Sequence, residues 1–211
     1  MREFNELYTA ILEGDAPAAN RLAKELISLS VNPQKIVDDC MIPAMNEVGR
    51  RFECGDYFVP ELMMAARAMK AALEVIQPLL AKQGSKTIGT VAIGTVKGDL
   101  HDIGKNLVAA MLEGSGFKVI DLGVDVPPES FVNIIKGTNV NIIALSTLLT
   151  TTMPWMKNTI DTLKREGLRD KVKVMIGGAP VTKRFAEEIG ADGYSENAAG
   201  AVELARSLVA S

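Results

Sequence analysis

Near residue 85 the hydrophobic period of this chain changes, and that change restricts the folds open to it. Before that point apolar residues recur with a helical spacing. Phe4, Leu7, Tyr8 and Ile11 form one stripe over residues 3–13. Gly14-Asp15 breaks it, and Leu22, Leu26 and Ile27 mark a second helix ending near Ser30. Asn32-Pro33 supplies an N-cap followed by a first-turn proline. The third helix, Gln34 to about Glu53, then turns Ile36, Val37, Cys40, Met41, Met45 and Val48 inward. After Gly55-Asp56, Pro60 opens a fourth helix whose apolar face is Leu62, Met63, Ala66, Met69, Leu73 and Ile76. Short turns between four helices predict an antiparallel four-helix bundle over 1–85.

Beyond that point short β-branched runs alternate with amphipathic stretches. The runs are Ile88–Thr95, Lys118–Leu122, Asn141–Ser146, Val172–Ile176 and a weak one at Gly193-Tyr194. Helical stretches cover roughly 102–114, 128–137, 154–167, 181–189 and 197–209. This alternation predicts a flavodoxin-like, Rossmann-like α/β domain over 88–211 with a five-stranded parallel sheet. Ala81–Lys86 reads as the linker. The split in charge agrees: nine basic and twelve acidic residues precede position 86, while the remainder balances at fourteen of each. In such sheets ligands bind beyond the carboxyl ends of the strands, where the first and third diverge.

Composition removes several chemistries. The single histidine excludes a paired-imidazole zinc site within one chain, and two cysteines cannot build a four-thiolate centre. Cys40 and Cys54 read as free thiols. A net charge of −3 provides no basic field for nucleic acid. The acidic N-terminus MREFNELYTAILEGD lacks the form of a secretory signal, and no apolar run approaches the ~20 residues of a membrane span. Cytoplasmic residence without membrane contact is the expectation.

Chemistry is therefore sought at the strand ends. The segment after the first strand, GTVKGDLHDIGKN, is not a phosphate loop: Gly98 and Gly104 enclose five residues and Asn106 follows Lys105. It contains Asp99-x-His101-x-x-Gly104. In one reading the histidine is satisfied by a nearby carbonyl. In the other, Asp99 accepts from one ring nitrogen and leaves the second as a lone-pair donor to a metal or ligand, with Gly104 clearing space for a bulky group. Strand three runs into Ser146-Thr147-Leu148-Leu149-Thr150-Thr151-Thr152. Its hydroxyls either bind a polar ligand or cap the next helix, as Thr152 could before Met153-Pro154. Strand four ends in Gly177-Gly178-Ala179-Pro180, which is either an ordinary turn or a slot of bare backbone.

Asp99-Leu100-His101-Asp102-Ile103-Gly104, then Ser146-x-Leu148, then Gly177-Gly178, resemble the signature of cobalamin-binding domains. These occur in cobalamin-dependent methionine synthase and in the small corrinoid proteins of methylamine, methanol and methoxyarene methyltransferase systems. The resemblance covers about 88–211, and VGRRFECGDYFVPELMMAARAMKAAL resembles the helical domain that precedes it. It implies a corrinoid bound with its own base detached and His101 as lower axial cobalt ligand. Asp99 would be hydrogen-bonded to that histidine, with Ser146 extending the network. Gly177 and Gly178 would line the channel for the nucleotide tail. Gly98, Asp102, Ile103, Gly104, Leu148, Thr150 and the Asn197-Ala198 segment would make the remaining cofactor contacts. The helical domain would cover the reactive face, and Phe58 resembles a residue that shields the methyl group, or else belongs to the bundle core.

The implied function is methyl carriage on cobalt, with catalytic groups residing on partners. A substrate-specific methyltransferase would provide the methyl group, and a second methyltransferase would pass it to a thiol or tetrahydrofolate. A reductive activase would be a further partner. Two rivals share the layout: a cobalamin-sensing regulator, which would add a DNA-binding module, and an adenosylcobalamin-dependent mutase subunit, which would need a partner barrel chain.

Overall fold

A computed structural model describes residues 2–82 and 87–210. One compact unit comprises Met1–Thr87 with Ala110–Gly116, the other Ile88–Ala109 with Phe117–Ser211.

The first unit contains α1 (Arg2–Leu12), α2 (Ala16–Ser28), α3 (Pro33–Ile36), α4 (Ile42–Glu53) and α5 (Val59–Lys82). Asp15 caps α2, its Oδ1 accepting from the Ala18 N–H at 2.9 Å, and Asn32 caps α3 in the same way through Gln34. The third predicted helix is present but not uniform. A π-turn at Val37–Met41 joins α3 to α4, with the Ile42 N–H reaching back to the Val37 carbonyl. It lies immediately before Pro43, which lacks an N–H and whose ring crowds the turn behind it, so a wider turn accommodates the proline. The core is Leu7, Ile11, Leu22, Leu26, Ile36, Met41, Met45, Leu62, Met69 and Ile76. Met63, expected inside, lies on the outer face of α5, and Ala65, Ala68 and Ala72 are buried instead. Phe58 is also outside, 66% exposed, so it is no bundle-core residue. It stands as the cap of α5, where Glu61 accepts from its N–H at 2.9 Å. Of the predicted linker, Ala81 and Lys82 end α5, and 83–86 lie outside the described residues.

The second unit contains β1 (Thr90–Thr95), the start of α6 (Ile103–Gly114, whose residues from Ala110 onward fall in the first unit), β2 (Lys118–Asp121), α7 (Pro128–Gly137), β3 (Ile142–Ser146), α8 (Pro154–Arg165), β4 (Lys173–Gly177), α9 (Lys183–Ile189), β5 (Gly193–Tyr194) and α10 (Ala198–Ala210). The strands are all parallel in the order β2-β1-β3-β4-β5, as the alternating pattern predicts. Every residue of β1 is buried, the mark of a strand covered on both faces. Phe131, Ile143, Leu145, Met156, Ile160, Val174 and Ile176 fill one of the layers between sheet and helices. Register then places the functional edge: Thr95 pairs with Ser146, and Ser146 with Gly177. The three loops expected to carry chemistry therefore leave the sheet side by side. Among the described residues, no helix is long and apolar enough to cross a membrane.

The two cysteines differ in environment. Cys54 is exposed, whereas Cys40 is buried and donates to the Phe4 carbonyl. Burial pushes the Cys40 thiol up to about 12. Since the thiolate is the reactive form, native protein should consume one equivalent of a thiol reagent, at Cys54, and a second only on unfolding. Thiol titration with and without denaturant measures this.

Candidate functional site

The site is organised around a carboxylate with no exposed surface. Asp99 lies in the loop leaving β1, is 0% exposed, and accepts hydrogen bonds at both oxygens. Oδ1 receives the His101 N–H at 3.0 Å and faces His101 Nδ1 at 2.7 Å. Oδ2 faces the Thr147 hydroxyl at 2.8 Å, the Leu148 N–H at 2.7 Å, the Leu149 N–H at 3.3 Å and the Thr152 hydroxyl at 3.1 Å. A buried charge is tolerated only when its lone pairs are met in this way. Burial alone would raise the carboxyl's pKa. The backbone N–H groups of His101 and Leu148, the histidine ring and the Thr147 hydroxyl outweigh it and hold Asp99 well below the usual carboxylate range.

An ionised carboxylate only accepts, so Nδ1 of His101 carries a proton, and in the neutral ring Nε2 holds the lone pair. The side chain of His101 is 51% exposed, with its tautomer set from below. Of the two readings of the loop histidine, the geometry matches the carboxylate-oriented one. The surface around it is apolar: Leu100, Ile103, Leu148 and Leu149 are all exposed. Gly104 faces open space, since a Cβ there would meet nothing within 4 Å. Among the described residues no cluster of three or more His, Cys, Asp or Glu side chains could hold a metal ion. A metal bound here would bring most of its own ligands.

The remaining predicted residues separate into distinct roles. The hydroxyl that extends the Asp99 network is Thr147, joined by Thr152, rather than Ser146. The Ser146 carbonyl instead receives the Val96 N–H at 3.0 Å. Thr147 and Thr152 also lie 2.6 Å apart, oxygen to oxygen. Thr152 therefore turns into the site and leaves the start of α8 without a side-chain cap. Thr150 is exposed on the same loop. Gly178 has φ +132°, and a Cβ on it would lie 1.8 Å from the Thr147 carbonyl oxygen. A Cβ on Gly177 would lie 3.1 Å from the Ser195 carbonyl oxygen. On their Cβ sides the two glycines meet the chain's own backbone. Gly98 occupies a turn at φ +80°, and Asp102 accepts from the Asn106 side chain at 3.1 Å. Ala198 is buried, and the Asn197 side chain caps α10 through the Gly200 N–H.

Several contributors were not legible in the motifs. The Lys97 ammonium lies 4.8 Å from the centre of the Trp155 ring and ties the β1 loop to the start of α8. Lys105 is 2% exposed, with its ammonium 2.5 Å from Asp121 and 2.6 Å from Asn106. It is a structural pair and is not free to meet a phosphate. Only the hydroxyl-rich run after β3 offered a sequence signal for Thr147 and Thr152.

Comparison with known proteins follows the same geography. Residues 89–203 match the family model described as a B12 binding domain, and residues 3–77 match a second model of the same description. The chain is 48% identical over 181 residues to dimethylamine corrinoid protein 1 of Methanosarcina acetivorans, covering 85% of each. A cobalamin-binding protein of Desulfitobacterium hafniense matches with TM-score 0.82 and 37% identity, over 97% of this chain and 98% of that one. The methanol:cobalamin methyltransferase complex of Methanosarcina barkeri matches with TM-score 0.85 and 32% identity, over 99% and 80%.

Two outcomes follow from the geometry. Gly178→Ala drives a methyl group into the Thr147 carbonyl in a backbone region closed to alanine. It should cost about 2–4 kcal/mol of unfolding free energy, read from urea denaturation. Asp99 binds its proton less readily in the folded than in the unfolded chain, whose ordinary value is near 3.8. Its contribution is complete well above that value and declines as pH falls through it toward the lower native one. In Asp99→Asn, whose stability should be lower at neutral pH, the acid limb of a plot of urea midpoint against pH should be flatter than in the parent.

Proposed function

This chain belongs to the B12-binding domain family, and from that membership we propose that His101 Nε2 is the lower axial ligand of a corrinoid cobalt, oriented by Asp99. The protein is a methyl-carrying corrinoid protein, with cobalamin or a related corrinoid as its cofactor. The carrying observation is one exposed imidazole whose Nδ1 is held 2.7 Å from a fully buried carboxylate, leaving Nε2 as the free donor.

The residues present fit such a group. A corrin ring supplies cobalt with its equatorial ligands, so one imidazole is sufficient. Leu100, Ile103 and Leu148 give a flat, largely apolar macrocycle a surface from which water is excluded. Open space at Gly104 lets its edge approach the backbone. We assign the tail of the cofactor to the loops after β3 and β4, with Gly98, Ser146, Thr150, Gly177 and Gly178 as backbone and hydroxyl contacts, and Asp102 to the rim.

Bound cobalt supplies the centre that receives a methyl group and gives it up. The protein's own work is positional and protonic. Asp99 holds the proton on His101 Nδ1, and so would present the Nε2 lone pair to the cobalt. Thr147 and Thr152, with the N–H groups of Leu148 and Leu149, keep that carboxylate charged and still. Methyl donor and acceptor reside on other proteins: a substrate-specific methyltransferase on one side, and a methyltransferase to a thiol or tetrahydrofolate on the other. A reductive activase would be a further partner. The names of the similar proteins, dimethylamine and methanol, support a small methylated donor chosen by the partner.

Reconstitution with cobalamin tests the assignment. Electron paramagnetic resonance of the Co(II) state should show coupling to one axial nitrogen, and His101→Ala should lose it while keeping the native circular dichroism. Retention of that coupling in His101→Ala would refute the ligand assignment.

A further inference from the structure

The loop that carries His101 is gripped from a third side, by a residue of the β2–α7 connection that lies outside every motif. Val96–Asp99 is a tight turn, closed by the Asp99 N–H donating to the Val96 carbonyl at 3.1 Å. Gly98 occupies its third position at φ +80°, the conformation a type II turn requires there. Such a turn leaves the N–H of that third residue facing outward. Here it donates to Asp125 Oδ1 at 2.7 Å. The N–H of Asp125 donates in turn to the Asp99 carbonyl at 2.9 Å. One residue therefore bonds the Lys97–Gly98 and the Asp99–Leu100 peptide groups, which bracket the Gly98–Asp99 peptide between them.

To make both bonds Asp125 adopts φ +52°, one of only two non-glycine residues with positive φ among those described. Aspartate and asparagine enter that region more readily than other residues with a β-carbon. Its position is secured by the next residue: Val126 bridges to Val96, and its N–H donates to the Thr95 carbonyl at 2.9 Å. The Asp125 carboxylate is hydrogen-bonded to neither the Asp99 nor the His101 side chain; its bond is to the Gly98 N–H. It acts on the main chain. The β3 loop aims the Asp99 side chain, and Asp125 sets the backbone from which that side chain and His101 extend.

Building on the assignment of His101 above, we propose that Asp125 is a positioning residue for the axial ligand, fixing through Gly98 and Asp99 where the imidazole presents Nε2. Loss of the Oδ1 acceptor for the Gly98 N–H corresponds to about a tenfold change in the equilibrium it supports.

Three variants separate the contributions. Asp125→Asn keeps both an acceptor at Oδ1 and tolerance of the left-handed backbone. Asp125→Gly keeps the backbone freedom without the acceptor, and Asp125→Ala keeps neither. Each is reconstituted with cobalamin and read by axial-nitrogen coupling in the Co(II) state, by cobalamin Kd and by melting temperature. Asp125→Asn should match the parent. Asp125→Gly and Asp125→Ala should both raise Kd about tenfold and show a fraction of Co(II) without the axial nitrogen. The proposal is overturned if Asp125→Gly matches the parent, if Asp125→Asn fails with the other two, or if only melting temperature moves. His101→Ala run alongside keeps the two assignments apart. Loss of coupling there with an unchanged Asp125→Ala sinks the positioning role alone, whereas retained coupling in His101→Ala sinks the ligand itself.

Discussion

The buried Asp99 carboxylate is the contact on which the remainder of the site depends. Its two oxygens divide the work: one faces the histidine, and the other collects two hydroxyls and two backbone N–H groups from the β3 loop. An uncompensated charge at this depth would be strongly unfavourable, so the loop that satisfies it is held in one conformation. The same interaction thus does two things. It keeps a negative charge under an imidazole, and it joins the ends of β1 and β3, neighbouring strands with separate crossovers.

Backbone geometry around this carboxylate calls for glycine at 98 and 178. The Thr147 carbonyl occupies the space a Cβ of Gly178 would take, which lets the β4 turn press against the loop bearing four of the Asp99 donors. Gly98 is required for the turn that delivers Asp99. Gly104, by contrast, borders open space beside the histidine. The small residues of one edge therefore serve different ends, and only the last directly leaves room for a bulky group.

The architecture was legible because it follows from short-range pattern. Leu7-to-Ile11 spacing, the Asn32-Pro33 start and the β-branched runs each report a local preference, and buried parallel strands flanked by amphipathic helices have few ways to assemble. Asp99 and His101 were legible as a pair because two positions in sequence bring a carboxylate within reach of an imidazole. Ser146 and Thr147 could not be told apart from the sequence. They are adjacent, chemically alike, and oppositely directed along an extended chain, so choosing the partner of Asp99 required the loop's path after β3. Met63 was misread for a related reason: an apolar residue near a helix start matches the stripe, while its burial depends on where the neighbouring helices stop.

What the sequence determined by itself was the order of elements, the parallel sheet and the carboxylate–histidine pair, all properties of residues close in the chain. Tertiary structure decided which hydroxyls meet Asp99, why Gly178 has no alternative, and that Asp125, twenty-six residues after Asp99, holds the turn before it. Those depend on hydrogen bonds between loops that converge only after the strands have paired in register. Register, with Thr95, Ser146 and Gly177 abreast, is the physical step that turns three separate segments into one site.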